Sequence, residues 1–276
     1  MNEKINKKLL KKISRHHQKL GLKYFIKGLN YERCAELPYI IGLLQNQFGE
    51  TLKYLDIGSG EAPLPTYLLK ESKWDITCVD KFSWVQQQKL HAARIMSGRS
   101  VEDRFHVIEK DFFKAGLTPE SFDVITNISV IEHFEGDLDS KAMAASAKLL
   151  KSGGKYILTT LVNEGYFKEF YLNQNVYGES YQDKSVFYQR HYDLASLEER
   201  LIKPTGLKEV GRVYFGDYGF QGFENIFHKS PKALRAFYQW AMPLFASRFL
   251  TYSSTPVSRK KMLMNTASGV ILVLEK

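Results

Sequence analysis

Cysteine is nearly missing from this chain of 276 residues: only Cys34 and Cys78 occur. Two thiols exclude a disulfide scaffold and fit a reducing compartment. Long apolar runs are missing too, and none approaches the ~20 residues that a bilayer-crossing helix needs. The lysine-rich start lacks the apolar stretch and small-residue cleavage site of a signal peptide, so a cytoplasmic protein is expected. Internal repeats, low-complexity tracts and Cys/His clusters with metal-ligand spacing are absent as well. What remains is 44% hydrophobic, 13% aromatic and 25% charged, which is enough for one substantial core and argues against disorder.

Acidic residues are scarce at both ends. The net charge is +9, a value that invites a polyanionic partner, but its distribution changes its meaning. Residues 1–27 carry nine Lys/Arg against Glu3 alone, residues 28–199 carry 18 against 25, and residues 200–276 carry twelve against four. An acidic middle lies between two basic ends. No recognised nucleic-acid module accompanies them, which argues against nucleic acid as the partner.

Residues 4–20 have the spacing of an amphipathic helix, and Tyr31 to Phe48 that of a second, with Pro38 at its start or at a kink. Apolar strand-like runs follow at Tyr54–Ile57, Ile76–Val79, Phe105–Ile108, Val124–Ile128 and Lys155–Leu161. Helix-like segments separate them at Leu64–Lys70, Val85–Ser97 and Asp139–Leu150. Such alternation predicts an α/β fold with a doubly wound parallel sheet. The alternation then stops for a stretch rich in Tyr166, Phe167, Phe170, Tyr171, Tyr177, Tyr181, Phe187 and Tyr188. A helix at Leu194–Ile202, a strand at Leu207–Phe215 and a last strand at Gly269–Leu274 complete the pattern. Ser230-Pro231 has the form of a helix start before the apolar stretch Ala236–Leu250. The expected organisation is a helical extension (1–48), a core (49–215) with an aromatic lid at about 162–192, a helical insertion (216–268) and a final core strand (269–276).

The informative segment is Tyr54-Leu55-Asp56-Ile57-Gly58-Ser59-Gly60-Glu61-Ala62-Pro63. A strand ends in an acid and a glycine-rich turn leads into a helix, so the backbone can approach a nucleotide-like ligand closely. The turn lacks the third glycine of a dinucleotide fingerprint, with Ala62 and Pro63 following Glu61. Asp56 would repel a diphosphate and suit an ammonium group. Asp80 closes the next strand 20 residues after Gly60, the spacing of a ribose-binding carboxylate. Asp111 precedes Phe112-Phe113, a carboxylate beside an aromatic suited to adenine. Asn127 ends the fourth strand, either as a backbone contact to the ligand or as an ordinary strand end. Ile131-Glu132-His133 follows, and Leu150-Lys151-Ser152-Gly153-Gly154 announces the fifth strand.

Taken together and in this order, these segments resemble the class I S-adenosylmethionine-dependent methyltransferases, with the lead-in residues Tyr31, Glu36 and Pro38 similar to those of small-molecule members. The resemblance covers about residues 31–215 plus 269–274. It implies a Rossmann-like seven-stranded sheet whose antiparallel last strand inserts between the fifth and sixth. It implies S-adenosylmethionine as cofactor, held by Asp56, Gly58, Gly60, Glu61, Asp80, Asp111, Phe112 and Asn127. The methyl group would move by in-line displacement, helped by a partly dry site and a near-attack geometry. An NAD(P)-dependent oxidoreductase and a non-catalytic partner of the same fold are the alternatives.

The acceptor is less legible. The Asn/Asp-Pro-Pro-aromatic element of base-amino methylation is replaced by Asn127-Ile128-Ser129-Val130, which points to a hydroxyl or carbon of a small molecule, sugar or lipid-like compound. The lack of metal-ligand spacing disfavours metal-dependent catechol chemistry. His133 is the candidate catalytic base, with a structural partner for Glu132 and a pocket brace as the other roles. Tyr166, Arg190, His191 and Tyr192 either line the acceptor pocket or pin a lid. The basic ends are either solvated helix faces or, for the N-terminal helix, a peripheral contact with an anionic membrane, helped by Phe237, Trp240, Met242, Leu244, Phe245 and Phe249. The same apolar stretch could instead form a lid, an acceptor-pocket wall or a homodimer surface.

Overall fold

The structure, a computed structural model, describes residues 3–163, 165–177, 184–217, 230–256 and 268–276. Tyr181 of the aromatic stretch and much of the late insertion lie outside these residues.

Among the described residues the core is a sheet of nine strands rather than seven. In chain order they are β1 (Glu3–Lys4), β2 (Lys53–Ile57), β3 (Asp75–Asp80), β4 (Phe105–Glu109), β5 (Phe122–Ile128), β6 (Leu150–Val162), β9 (Lys208–Gly216), β10 (Thr251–Ser253) and β11 (Ser268–Glu275). Their order across the sheet is β1-β10-β9-β11-β6-β5-β2-β3-β4. Strands β2 to β6 pair in parallel, and β11 runs antiparallel between β6 and β9. Seven strands therefore form the expected Rossmann-like sheet, and β10 and β1 extend its β9 edge. The two extra strands are only three and two residues long, too short to carry a strand period in the sequence.

The alternating pattern of the buried strands explains the layers. Tyr54, Ile76, Cys78, Val124 and Ile157 face one hydrophobic cluster, while Leu55, Ile57, Ile125, Tyr156 and Leu158 face the other. Helices α1 (Lys7–Lys19), α3 (Arg33–Leu44) and α4 (Leu64–Glu71) lie on the first face, and α6 (Leu138–Leu149) on the second. The α1 helix starts at Lys7 because the Asn6 side chain accepts from the backbone N–H groups of Lys8 and Leu9 at 3.1 Å, a cap worth about 1 kcal/mol. Residue 4, expected to begin the helix, pairs as part of β1 instead. Pro38 sits inside α3 rather than at its start.

A short helix α2 (Leu22–Lys27) connects α1 to the lead-in segment. The Val85–Ser97 segment begins as a 3-10 turn (Ser83–Gln86) and continues as α5 (Gln87–Ile95). The aromatic stretch folds as a separate antiparallel pair, β7 (Lys168–Leu172) with β8 (Val186–His191). Helix α7 (Leu194–Leu197) is capped reciprocally by Asp193 and Ser196 and passes into a π turn at Glu198–Ile202. In the insertion, α8 (Lys232–Trp240) begins one residue later than expected, after Pro231, and α9 (Met242–Phe249) follows a break at Ala241. Pro243 falls in the first turn of α9, where a missing N–H costs least.

Helices α1, α2 and α5 meet through a buried cluster of rings. Tyr24 stands edge-on to both His17, at 5.4 Å, and His91, at 4.7 Å. His16 pairs with Thr66 at 3.0 Å. Burial lowers the pKa of His16 to about 3 and those of His17 and His91 to about 4. These depressed values mean the rings are neutral in the fold but protonate near 6.5 once unfolded. Their contribution is present above pH 6.5 and is lost as pH falls from there toward 4. Thermal melts should therefore show the midpoint dropping by several degrees between pH 7 and pH 5. His16→Gln, which keeps a polar partner for Thr66, should flatten that drop.

Candidate active site

Strands β2, β3, β4, β5 and β6 end on the same edge of the sheet, and strand order reverses between the parallel neighbours β2 and β5, with β3 and β4 added on one side and β5 and β6 on the other. Ligands of doubly wound folds bind in the crevice this reversal leaves at the carboxyl ends. A cavity of about 700 Å³ opens there, within the ~300–1,000 Å³ of ordinary ligand pockets. It is lined by Asp56, Gly58, Gly60, Glu61, Asp80, Asp111, Phe112 and His133. Seven of the eight residues assigned to the cofactor from the sequence thus line the same cavity. Asn127 does not join them. Its side chain is fully buried, and Oδ1 accepts from the Ile131 backbone N–H at 3.0 Å, so it shapes the turn after β5.

The glycine-rich turn is held from several sides. The Gly58 and Ser59 N–H groups donate to the Val79 carbonyl at 2.8 and 3.2 Å. Gly58 has φ +72°, and an added Cβ would lie 2.5 Å from a Val130 methyl. Gly60, at φ +48°, has nothing within 3.8 Å of a notional Cβ except the rim formed by Trp84 and Asp80. That floor is open because no side chain fills it. Gln88, fully buried on α5, donates to the carbonyls of Gly60 at 3.2 Å and Ala62 at 2.8 Å. Flanked by Gln86, Gln87 and Lys89, it carried no sequence signal of this clasp.

Each acid has a distinct setting. Asp80 accepts from the Gly60 N–H at 3.0 Å and the Phe82 N–H at 2.9 Å, which fixes the carboxylate at the cavity edge with lone pairs to spare. Asp111 is exposed and caps the turn that presents Phe112, accepting from the Phe113 N–H at 2.9 Å. Asp56 is buried and accepts from the Thr126 hydroxyl at 2.6 Å. Desolvation raises its pKa to about 6 despite that bond, so a cationic ligand group beside it would favour the ionised form. Glu61 pairs with Lys23 of α2 at 2.6 Å, which ties the N-terminal helices across the turn. These residues fit S-adenosylmethionine: an open glycine floor, a positioned acid at the ribose spacing, an acid and aromatic at the adenine end, and a buried acid for the amino group.

His133 is anchored by its other nitrogen. Nδ1 lies 2.7 Å from the Tyr188 carbonyl oxygen, which can only accept, so Nδ1 carries the proton and Nε2 of the neutral ring does not. Burial lowers the His133 pKa below its usual value. Tyr177 packs edge-on to this ring at 5.0 Å and stacks with Tyr188 at 6.2 Å. Among the described residues, Tyr177 and Phe187 are the aromatics of this stretch that line the cavity.

The four candidates for acceptor contact lie elsewhere. Arg190 is fully buried and donates to Asp139 at 2.7 Å, to the Phe134 carbonyl at 2.7 Å and to the Gly136 carbonyl at 3.0 Å. The Tyr192 hydroxyl also donates to Asp139, at 2.9 Å. His191 packs on Phe170 at 4.5 Å, and Tyr166 is 42% exposed. None of the four lines the cavity. Arg190 and Tyr192 are drawn to Asp139 because a buried carboxylate needs counter-charge and donors, so they pin β8 to the turn carrying His133.

A second network was legible only as the lead-in pattern. Glu36 is buried and accepts from Thr159 at 2.6 Å and Ser129 at 2.8 Å. Arg33 pairs with Glu36 and donates to Ser129 at 2.9 Å and to the Ile128 carbonyl at 3.1 Å. Ser129 adopts φ +49° at the end of β5, a strained state that such bonding sustains. Arg33 and Ser129 both line the cavity. Beside them, Glu132 is buried, and desolvation raises its pKa to about 8.

Comparison with known proteins agrees with this geometry. No curated protein sequence matches the chain. Among solved structures, it is similar to a Burkholderia thailandensis 1,6-didemethyltoxoflavin-N1-methyltransferase with bound S-adenosylhomocysteine (TM-score 0.51, 13% identity, 85% of this chain and 75% of that one). An S-adenosylmethionine-dependent methyltransferase from Mesorhizobium loti gives TM-score 0.50 at 12% identity over 90% of this chain and all of that one. A Haemonchus contortus phosphoethanolamine N-methyltransferase, in complex with S-adenosylhomocysteine, gives 0.50 at 15% identity over 86% and 52%. At these identities the likeness is one of fold. The family model described as a methyltransferase domain matches residues 11–254. The chain therefore belongs to the methyltransferase-domain family and is a class I S-adenosylmethionine-dependent methyltransferase.

Proposed function

We propose that this enzyme methylates a hydroxyl group or an acidic carbon of a small-molecule, sugar or lipid-like acceptor, with His133 as general base. The orientation of His133 carries the proposal. Its Nδ1–H is committed to the Tyr188 carbonyl, which leaves the lone pair of Nε2 on a residue of the cavity wall. A neutral imidazole held this way can take a proton from an acceptor, a need that hydroxyl and carbon nucleophiles have and a free amine does not.

When bound, S-adenosylmethionine supplies an electrophilic methyl group on a sulfonium. Gly58, Gly60, Asp56, Glu61, Asp80, Asp111 and Phe112 would hold it in the cavity they line. Tyr177 and Phe187 shield the end near His133 from water, and the Arg190–Asp139 pair fixes the turn on which His133 sits. Arg33, with Glu36 and Ser129, would stabilise the opposite side of the acceptor space.

Incubation with methyl-labelled S-adenosylmethionine and a panel of hydroxyl, enolic-carbon and amine compounds tests the acceptor class. Label on oxygen or carbon, lost in His133→Gln, is the expected outcome. Label confined to amines would contradict it.

A further inference from the structure

Among the described residues no helix is long and apolar enough to cross a membrane, yet one region of surface is both apolar and poor in acids, with Glu61 paired to Lys23 where it meets the cavity. Helix α2 exposes Leu22 (75%), Phe25 and Ile26 around the single buried ring of Tyr24. Helices α8 and α9 expose Leu234, Phe237, Trp240 and Leu244 (70%). The two parts are adjacent: Gly28, just past α2, lies so close to Gln239 and Trp240 that a Cβ there would sit 2.4 Å from the Gln239 carbonyl oxygen. Soluble surfaces scatter such residues singly, whereas a run of them on neighbouring helices marks an interaction site.

Charge says what kind. Residues 3–31 contain nine Lys/Arg and one acid, Glu3; residues 230–256 contain three and none. The α1 helix, which packs against α2 and α9, exposes Lys7, Lys8, Lys11 and Lys19 to solvent, while its own apolar residues Leu10 and Ile13 are buried in the core. It can therefore contribute charge and no insertion. An apolar strip of aromatic and aliphatic residues bordered by lysines suits the interface of an anionic bilayer, where rings enter the headgroup region and cations meet lipid phosphates and carboxylates. The cavity reaches this region as well, since Lys23, Tyr24, Lys27 and Gly28 are among its lining residues.

We propose that α2, α8 and α9 form a docking surface for an anionic membrane, with α1 supplying electrostatic attraction, so that the cavity opens beside the lipid. The surface would favour an amphiphilic acceptor taken from the bilayer, which deepens the lipid-like option above and rests on that reading of the site. Membrane binding itself does not depend on it.

Flotation with phosphatidylcholine vesicles, with and without phosphatidylserine, tests the surface. The wild-type protein should float with phosphatidylserine vesicles, be released by salt, and ignore phosphatidylcholine alone. The triple variant Leu22→Ser/Phe25→Ser/Trp240→Ser should bind about tenfold more weakly or worse with unchanged S-adenosylhomocysteine affinity. Brominated lipids should quench wild-type tryptophan fluorescence, and Trp240→Phe, which preserves the fold, should abolish the added quenching. Failure of the wild type to bind phosphatidylserine vesicles, equal binding by the triple variant, or a dimer that the triple variant dissociates in the absence of any vesicle binding would each overturn the proposal. Methyl transfer to soluble acceptors by a protein that ignores vesicles would spare the active-site chemistry and remove only the docking surface.

Discussion

Replacing His133 with glutamine lowers kcat by about 10²- to 10⁴-fold, the range a positioned general base contributes, and leaves S-adenosylhomocysteine affinity near that of the wild type. The expectation follows from the hydrogen bond of Nδ1 to the Tyr188 carbonyl, which selects the tautomer with a free Nε2. Glutamine keeps a donor for that carbonyl and presents no basic nitrogen. Steady-state rates with a hydroxyl acceptor would show the loss in kcat rather than in KM. The pH profile supplies a second reading. Because burial depresses the His133 pKa, the base remains unprotonated below the usual histidine value of ~6.5. The acidic limb of kcat/KM should fall there and vanish in the variant. A parallel loss of cofactor affinity would instead assign His133 to bracing the pocket.

Asp139→Ala should cost about 3–5 kcal/mol of stability, the usual penalty for breaking a buried ion pair on one side. Asp139 is fully buried and receives Arg190 at 2.7 Å, Tyr192 at 2.9 Å and Arg200 at 2.9 and 2.8 Å. Its removal strands a fully buried guanidinium and a phenol without their acceptor. Denaturant titration would show a lower midpoint with an unchanged slope. Arg190→Lys should also destabilise, because an ammonium cannot serve Asp139 and the carbonyls of Phe134 and Gly136 in one plane. The catalytic constants of the remaining folded protein should move modestly, through the position of His133.

The sequence signals that survived into the structure were those with a strict chemical requirement. The acid–glycine turn at 56–60, Asp80 at the end of the next strand and Asp111 before an aromatic all reach one cavity, because each sits at a strand terminus whose place follows from the alternation of strands and helices. Arg190 and Tyr192 illustrate the limit. An arginine and a tyrosine after an aromatic stretch look the same whether they meet a substrate or a buried carboxylate. Their partner Asp139 is some 50 positions away, and nothing local marks the pairing. Asn127 shows a related limit, since a strand-end asparagine satisfies its own turn as readily as a ligand. Strands β1 and β10 were invisible because two- and three-residue pairings carry no periodicity.

The net charge took on a different sense once the helices were placed. Lysines read from the sequence as a possible anchor in the first helix lie beside α2, whose exposed Leu22, Phe25 and Ile26 had no periodic signature of their own in six residues.

The most direct test of the whole account is calorimetric titration of S-adenosylhomocysteine into the wild-type protein and Asp80→Asn. The wild type should bind and NADH should not. Asp80→Asn, which keeps the size of the side chain and loses the charge and one acceptor, should weaken binding about tenfold to a hundredfold, as expected for hydrogen bonds to a charged group. Absence of S-adenosylhomocysteine binding, or equal affinity in the variant, would contradict the placement of the cofactor against Asp80 and the glycine turn.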